Sequence, residues 1–270
     1  MNMPKILLTN DDGIFSPGIL TLKKTVDTLG EVVVEAPLRE TSGIGKAISS
    51  KFVKVEQVIL PDGSKAYGID GTPADAYMIA THKILGQNPD LLISGINLGP
   101  NLGVDDFFTS GTLGAAIEAA IHQVPAIAVS YCMEKFLEGQ DKASLVNKEI
   151  LDLTAKIAVE TAKYILENGM PYDVDLISIN VPERIRSLNF EATTLSYKGY
   201  LDLFVSRNGG YIIDRWVLED YPDDVPGTDL HTVKKRKRIA VTPIKLRFVH
   251  NTEGVRRLIE YLRMCFHKSS

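Results

Sequence analysis

Residues 5–37 read KILLTNDDGIFSPGILTLKKTVDTLGEVVVEAP, and their order decides the fold. An aliphatic run of strand length, KILLTN, precedes GILTLKKTVDTLG, which carries an apolar stripe at helical spacing, and a second aliphatic run, EVVVEAP, follows. The alternation continues outward. DLLISGIN (90–97), AIAVSY (126–131), DLISINVP (175–182) and RIAVTPI (238–244) are further strand-length runs. TPADAYMIATHKILG (72–86) and GTLGAAIEAAIHQ (111–123) read as crossover helices. Strands buried on both faces read as near-continuous aliphatics, and right-handed crossovers bring all their carboxyl ends to one edge. The expectation is an α/β fold, a parallel sheet flanked by helices, with ligands bound at that edge.

Two stretches break the pattern. Residues 200–218, YLDLFVSRNGGYIIDRWVL, alternate apolar and polar around Asn208, Gly209 and Gly210 and predict an antiparallel hairpin. Its pattern suits equally an arm reaching another subunit or a flap on its own domain. The segment TEGVRRLIEYLRMCF (252–266) predicts an amphipathic helix with Thr252 as its cap, within a C-terminal extension over 245–270. No repeat interrupts the 270 residues, and one main body over 1–270 is expected.

Hydrophobic residues make up 44% and charged residues 24%, and no apolar stretch approaches the ~20 residues that would span a bilayer. The N-terminal MNMPKILLTNDD has too short an apolar segment for a signal peptide, so a cytoplasmic protein without membrane contact is expected. Cys132 and Cys265 stand far apart with no CxxC pattern, which argues against disulfide and cysteine–zinc frameworks; both are expected to be core thiols. The net charge of -4 argues against a chain that coats a nucleic-acid polymer. The basic run KKRKR (234–238) reads either as a solvated strand entry or as a contact for an anionic substrate or partner.

Asp11 and Asp12 follow the first strand side by side, and adjacent carboxylates repel unless solvent, a cation or hydrogen bonds absorb the charge. Thr41, Ser42 and Gly43 follow the second run; Ser94, Gly95 and Asn97 lie at the end of DLLI, with Asn101 beyond. These are hard oxygen donors, suited to Mg²⁺, Mn²⁺ or Ca²⁺ rather than to zinc. The competing reading is that the two aspartates merely cap the next helix. Further along, NLGPNLGVDDFFTSGTLGAAIEAAI (97–121) is a glycine-rich loop feeding Thr109, Ser110, Gly111 and Thr112 into a helix start, where unpaired N–H groups attract phosphate. Ordinary helix capping would also account for Ser110 and Thr112 taken alone. Neither GxxxxGK[ST] nor GxGxxG is present in the expected place. An oxygen-ligated cation beside a phosphate cradle points to phosphoryl hydrolysis. Which aspartate would handle the attacking water stays open.

At these residues the sequence resembles the SurE family of metal-dependent 5'-nucleotidases. The blocks are LLTNDDGIFSPGI, APLRETSGIGKAIS, YGIDGTPADAYMIA, DLLISGINLGPNLG, TSGTLGAAIEAAI, SINVP and GTDLHTV with IAVTPI, in order over nearly the whole chain. The resemblance implies a Rossmann-like core, hydrolysis of nucleoside monophosphates, and one divalent cation per subunit, Mg²⁺ or Mn²⁺. Carried over by motif, the metal ligands would be Asp11, Asp12, Ser42 and Asn97. Asn101, Ser110, Gly111 and Thr112 would line the phosphate site, and Asp11, Asp12, Asn97 and Ser110 would carry the chemistry. It further implies 3'-nucleotidase and polyphosphatase side activities, and a homodimer or homotetramer built through the hairpin and the C-terminal extension. The chain departs from the family pattern at FFTSGT, where relatives often place an aromatic residue before the serine, and in the basic KKRKR. A haloacid-dehalogenase-type phosphatase would want two aspartates one residue apart, which NDDG lacks. A zinc deacetylase would need histidines, and His82, His122, His231, His250 and His267 form no convincing set with the aspartates. A non-catalytic nucleotide-binding regulator would have no need of the metal set.

Overall fold

The computed structural model describes residues 3–133, 135–137, 142–185, 188–197, 204–213, 215–217, 224–247 and 251–266. Its strands are β1 (Lys5–Thr9), β2 (Glu31–Pro37), β3 (Val55–Ile59), β4 (Lys65–Ile69), β5 (Leu91–Leu98), β6 (Ala126–Cys132), β7 (Lys135–Leu137), β8 (Leu176–Pro182), β9 (Phe190–Ala192), β10 (Phe204–Arg207), β11 (Gly210–Ile213), β12 (Arg215–Val217) and β13 (Ile239–Ile244). Its helices are α1 (Pro17–Val26), α2 (Pro73–Ile79), α3 (Gly103–Thr109), α4 (Gly111–Ile121), α5 (Lys142–Leu145), α6 (Lys148–Asn168), α7 (Asp229–His231) and α8 (Arg256–Phe266). Nine strands form one sheet in the order β3-β4-β2-β1-β5-β6-β8-β13-β9. The run β4-β2-β1-β5-β6-β8 is parallel throughout, the Rossmann-like core the sequence predicts.

Both faces are covered, which is why the central strands carry aliphatics almost without a break. On one face Ile6, Leu8, Ile93 and Ile127 pack with Ile19, Leu22 and Val26 of α1 and with Leu151, Ala155 and Ala158 of α6. On the other, Leu7, Leu92 and Ala126 pack with Tyr77 of α2 and Leu113, Ala116 and Ala119 of α4. A buried polar row crosses this second face near the carboxyl edge: Thr9 pairs with Ser94, Ser94 with Ala128, Ala128 with Ser178 and Ser178 with Thr242. Glu35 continues the row one step beyond the Leu8–Val34 pair.

Several expectations need correction. RIAVTPI does not join the parallel set: β13 runs antiparallel to β8, Ala240 pairing with Asn180 and Ile244 with Leu176. The connection from β8 returns at the carboxyl edge, so the strand enters the sheet from that side. β3 and β4 form an antiparallel pair at the sheet edge, and the sequence reading assigned them no element. TPADAYMIATHKILG begins as α2, with a capping box between Thr72 and Asp75, but widens into a π-helix over Ala80–Leu85. The hairpin forms as β10 and β11 around Asn208 (φ 50) and Gly209 (φ 80), two left-handed residues that set the primed turn matching strand twist. Gly210 belongs to the strand. The rest of that predicted stretch continues into β12, which pairs with β7, while residues 200–203, 214 and 218 lie outside the described residues.

α8 forms where expected, but it follows a 3₁₀ turn over Glu253–Val255 and Thr252 makes no side-chain cap. Residues 248–250 and 267–270 of the C-terminal extension are not among those described. Cys265 on α8 is exposed, not a core thiol, because that helix leaves all its described side chains outside the core; Cys132 is buried as expected. KKRKR ends the π-helical turn over Thr232–Arg236 and leads through Lys237 into β13, with Arg236 and Arg238 paired to Glu191 at 3.0 and 2.5 Å. Among the described residues no helix is long and apolar enough to cross a membrane.

Candidate active site

The turn after β1 is built by Asn10. Its buried amide nitrogen donates to Gly13 O at 3.0 Å and to Ser16 Oγ at 2.7 Å, folding residues 10–16 back toward α1. Ser16 then caps α1 by accepting from Ile19 N, with Pro17 in the first turn. The helix therefore has its cap without Asp11 or Asp12, and the capping reading of the pair fails. Gly13, at φ +102, takes a conformation that a side chain would resist.

Asp11 is buried at 4% exposure. One carboxylate oxygen accepts the Thr112 hydroxyl, and Gly111 lies so close that a Cβ there would stand 2.7 Å from Asp11 Cβ. The glycine is thus needed to seat the start of α4 against the aspartate. Asp12, half-buried, accepts Leu98 N on its Oδ2 at 2.9 Å, tying the end of β1 to the end of β5. Next to Leu98, Asn97 donates its amide nitrogen to Gly99 O at 2.9 Å, leaving its carbonyl oxygen as the end that could meet a cation.

Ser110 ends α3 and caps α4, its hydroxyl oxygen accepting Leu113 N at 3.2 Å. That bond uses a lone pair and leaves the hydroxyl hydrogen to donate. The first N–H groups of α4 have no intrahelical partners by helix geometry, so Gly111 and Thr112 present N–H donors, and Ser110, whose own N–H goes to Asp106 O, its hydroxyl, beside a carboxylate pair.

Ser42 is less closely placed. Its backbone neighbour Thr41 donates to Asp11 O at 2.8 Å, but Ser42 itself is exposed and gives its hydroxyl to Glu40 at 2.6 Å. The strap that carries it is anchored along its length. Gly45 N donates to Thr109 O at 2.7 Å, Lys46 pairs with buried Glu118 of α4, Thr72 donates to Ala47 O at 2.6 Å, and Ser49 gives N–H and O–H to Asp75 at 3.0 and 2.6 Å. Asn101 is turned toward the ends of β6 and β8: its N–H donates to Asn180 Oδ1 at 3.0 Å and its amide to Ser130 Oγ at 2.9 Å.

The structure thus brings Asp11, Gly111 and Thr112 into contact, joins Asp12 to the Asn97–Leu98 strand end, and sets Ser110 at the head of α4. Ser42 lies on the strap that Thr41 ties to Asp11, and Asn101 is held by Asn180 and Ser130. The donor set fits a hard divalent cation. Among the described residues no three His, Cys, Asp or Glu gather as a metal-ligand group, so an ion here would take two carboxylates, with amide, hydroxyl and water oxygens completing its shell. Mg²⁺ and Mn²⁺ accept such sets.

The family model described as "Survival protein SurE" matches residues 6–201. The chain belongs to the SurE family. A relative in Methanocella arvoryzae named "5'-nucleotidase SurE" is 36% identical over 251 residues, covering 90% of this chain and 92% of that protein. One of the same name in Methanothermobacter thermautotrophicus is 41% identical over 201 residues, 73% of this chain and 74% of that protein. The crystal structure of a SurE protein from Aquifex aeolicus aligns with a TM-score of 0.72 at 31% identity, covering 96% of this chain and all of that one.

Within this SurE chain, sequence reasoning missed the residues that hold the loops. Asp229 is 1% exposed and accepts Gly103 N, Ser196 N and Leu230 N at 2.8, 2.9 and 2.7 Å, fastening the loop before α3 to the far end of the chain. Burial raises its pKa, and the three N–H donors oppose the rise. Asp106 accepts Leu102 N at 2.6 Å, and Asn180 holds Asn101 from β8. Burial likewise pushes the Cys132 thiol up, its Sγ lying 3.3 Å from Asn180 Oδ1. Asp229 follows Thr228, a helix cap, and that cap signal was available; its distant partners were not.

Proposed function

We propose that this chain is a divalent-metal-dependent 5'-nucleotidase that hydrolyses nucleoside monophosphates to nucleoside and phosphate. The observation that carries the reading is the contact of Asp11 with Thr112 and Gly111, which sets a carboxylate pair against a helix start. The relatives' name supplies the substrate class.

In this reading Asp11, Asp12, Asn97 and Ser42 hold the cation. When bound it supplies Lewis acidity toward a phosphoryl oxygen and a water of lowered pKa. The Thr112 hydroxyl fixes the orientation of the Asp11 carboxylate. The Ser110 hydroxyl and the N–H groups of Gly111 and Thr112 receive the non-bridging oxygens and stabilise charge that grows there in the transition state. Asn101 holds the loop that closes the site from the β6–β8 side. Asp12, the more accessible carboxylate, is the acceptor for the attacking water's proton.

The chain's two free thiols suit the reducing cytoplasm. The apolar face of α8, with Leu258, Ile259 and Leu262 exposed, supports a homodimer or homotetramer, which light scattering would measure. The activity is tested by phosphate release from AMP and GMP with Mn²⁺ and with EDTA. Release that depends on the metal supports the reading. Hydrolysis indifferent to chelation refutes the metal mechanism, and nucleotide binding with no release refutes the enzyme.

A further inference from the structure

Just outside the phosphate cradle the surface turns apolar. Phe108, 57% exposed, stands two residues before Ser110, and Ile44, 40% exposed, two residues after Ser42. The backbone brings the two segments together. Gly45 N donates to Thr109 O at 2.7 Å, and Gly45, at φ +59, has the Phe108 carbonyl oxygen where a side chain would go. Although exposed, the Phe108 ring has support behind it: buried Phe107 meets it edge to face, with centroids 5.1 Å apart and planes at 79°. Two residues of chain reach at most about 7 Å, so the backbone that carries this ring lies within about a sugar's length of the backbone of Ser110. A single exposed aromatic needs no explanation. A supported ring whose backbone adjoins that of a second exposed apolar residue, close in sequence to the anion cradle, suits a flat ligand.

We propose that Phe108, with Ile44 beside it, is the platform on which the substrate's nucleobase stacks. The proposal rests on the nucleotidase reading above and adds the part of the substrate that reading leaves unassigned. Every base has a π face, so such a platform accepts purines and pyrimidines alike and supplies affinity rather than base readout.

The test compares kcat/KM for AMP and for ribose 5-phosphate, which lacks the base, in the parent, Phe108→Ala and Phe108→Tyr. Tyr172→Ala, an exposed aromatic removed at the opposite sheet edge, is the control. The AMP to ribose 5-phosphate ratio is expected to fall about tenfold in Phe108→Ala through KM, to recover in Phe108→Tyr, and to hold in the control. A Phe108→Ala ratio equal to the parent's overturns the platform, and a changed subunit number beside an unmoved ratio assigns the ring to a subunit contact. Calorimetric titration with adenosine needs no turnover. Binding weakened about tenfold by Phe108→Ala supports the platform even in a chain that releases no phosphate, and equal binding refutes it.

Discussion

Glu35 offers the sharpest quantitative prediction. It lies on β2 with no exposed surface, and neither carboxylate oxygen has a hydrogen-bond partner among the described residues. The hydroxyls of Thr9 and Ser94, in the same cross-strand row, are likewise unpartnered among them. Desolvation pushes the Glu35 pKa from its ordinary 4.5 up to about 8, so between those values the folded chain holds a proton that the unfolded chain has released. Unfolding then liberates a proton, and stability falls as pH rises through the window. At about 1.4 kcal/mol per pH unit, the full displacement is worth about 5 kcal/mol, an upper figure that any water entering the row reduces. Glu35→Gln keeps the shape of the neutral acid and removes the titration. In urea unfolding the variant should match the parent within about 1 kcal/mol near pH 5 and exceed it by several kcal/mol near pH 8, with unchanged m-values. Parent and variant curves separated by the same amount at both pH values would refute the reasoning.

Two other substitutions probe the cradle and its supports. Ser110→Ala should lower kcat about a hundredfold in the phosphate-release assay if its hydroxyl acts in the transition state, and equal kcat would leave it only the capping of α4. Asp229→Ala strands three backbone N–H groups and should cost about 3 kcal/mol or more by chemical denaturation; a loss below about 1 kcal/mol would mean that the loop before α3 is held by something else.

The parts of the fold that sequence displays are those written in local pattern. The run KILL and the helix after Pro17 each express a constraint that acts within a few residues, and each element forms as expected. Elements set by distant partners were not legible. The direction of β13 depends on a connection of more than fifty residues, and an aliphatic run looks alike in either sense. VEQVI and KAYGI flank the turn at Asp62–Gly63, a dipeptide that signals a hairpin, but neither run alternates cleanly and edge exposure thins their apolar content. At the site, Asp11, Gly111 and Thr112 meet because the strand end and the helix start both face the same sheet edge. Ser42 donates its hydroxyl to Glu40, two residues before it, a bond that its position in the sequence does not announce. Cys265 shows the limit plainly: whether a thiol on an amphipathic helix is buried depends on what that helix packs against.

The central claim is that the neighbouring carboxylates Asp11 and Asp12 would hold a hard divalent cation. Calorimetric titration of Mn²⁺ into the parent and into Asp11→Asn tests it most directly. The account predicts one ion bound per parent chain and an affinity lower by about a hundredfold or more in the variant, with the circular-dichroism spectrum unchanged. Equal affinity in both proteins, or a parent that binds no Mn²⁺ yet releases phosphate from AMP in EDTA, would contradict it.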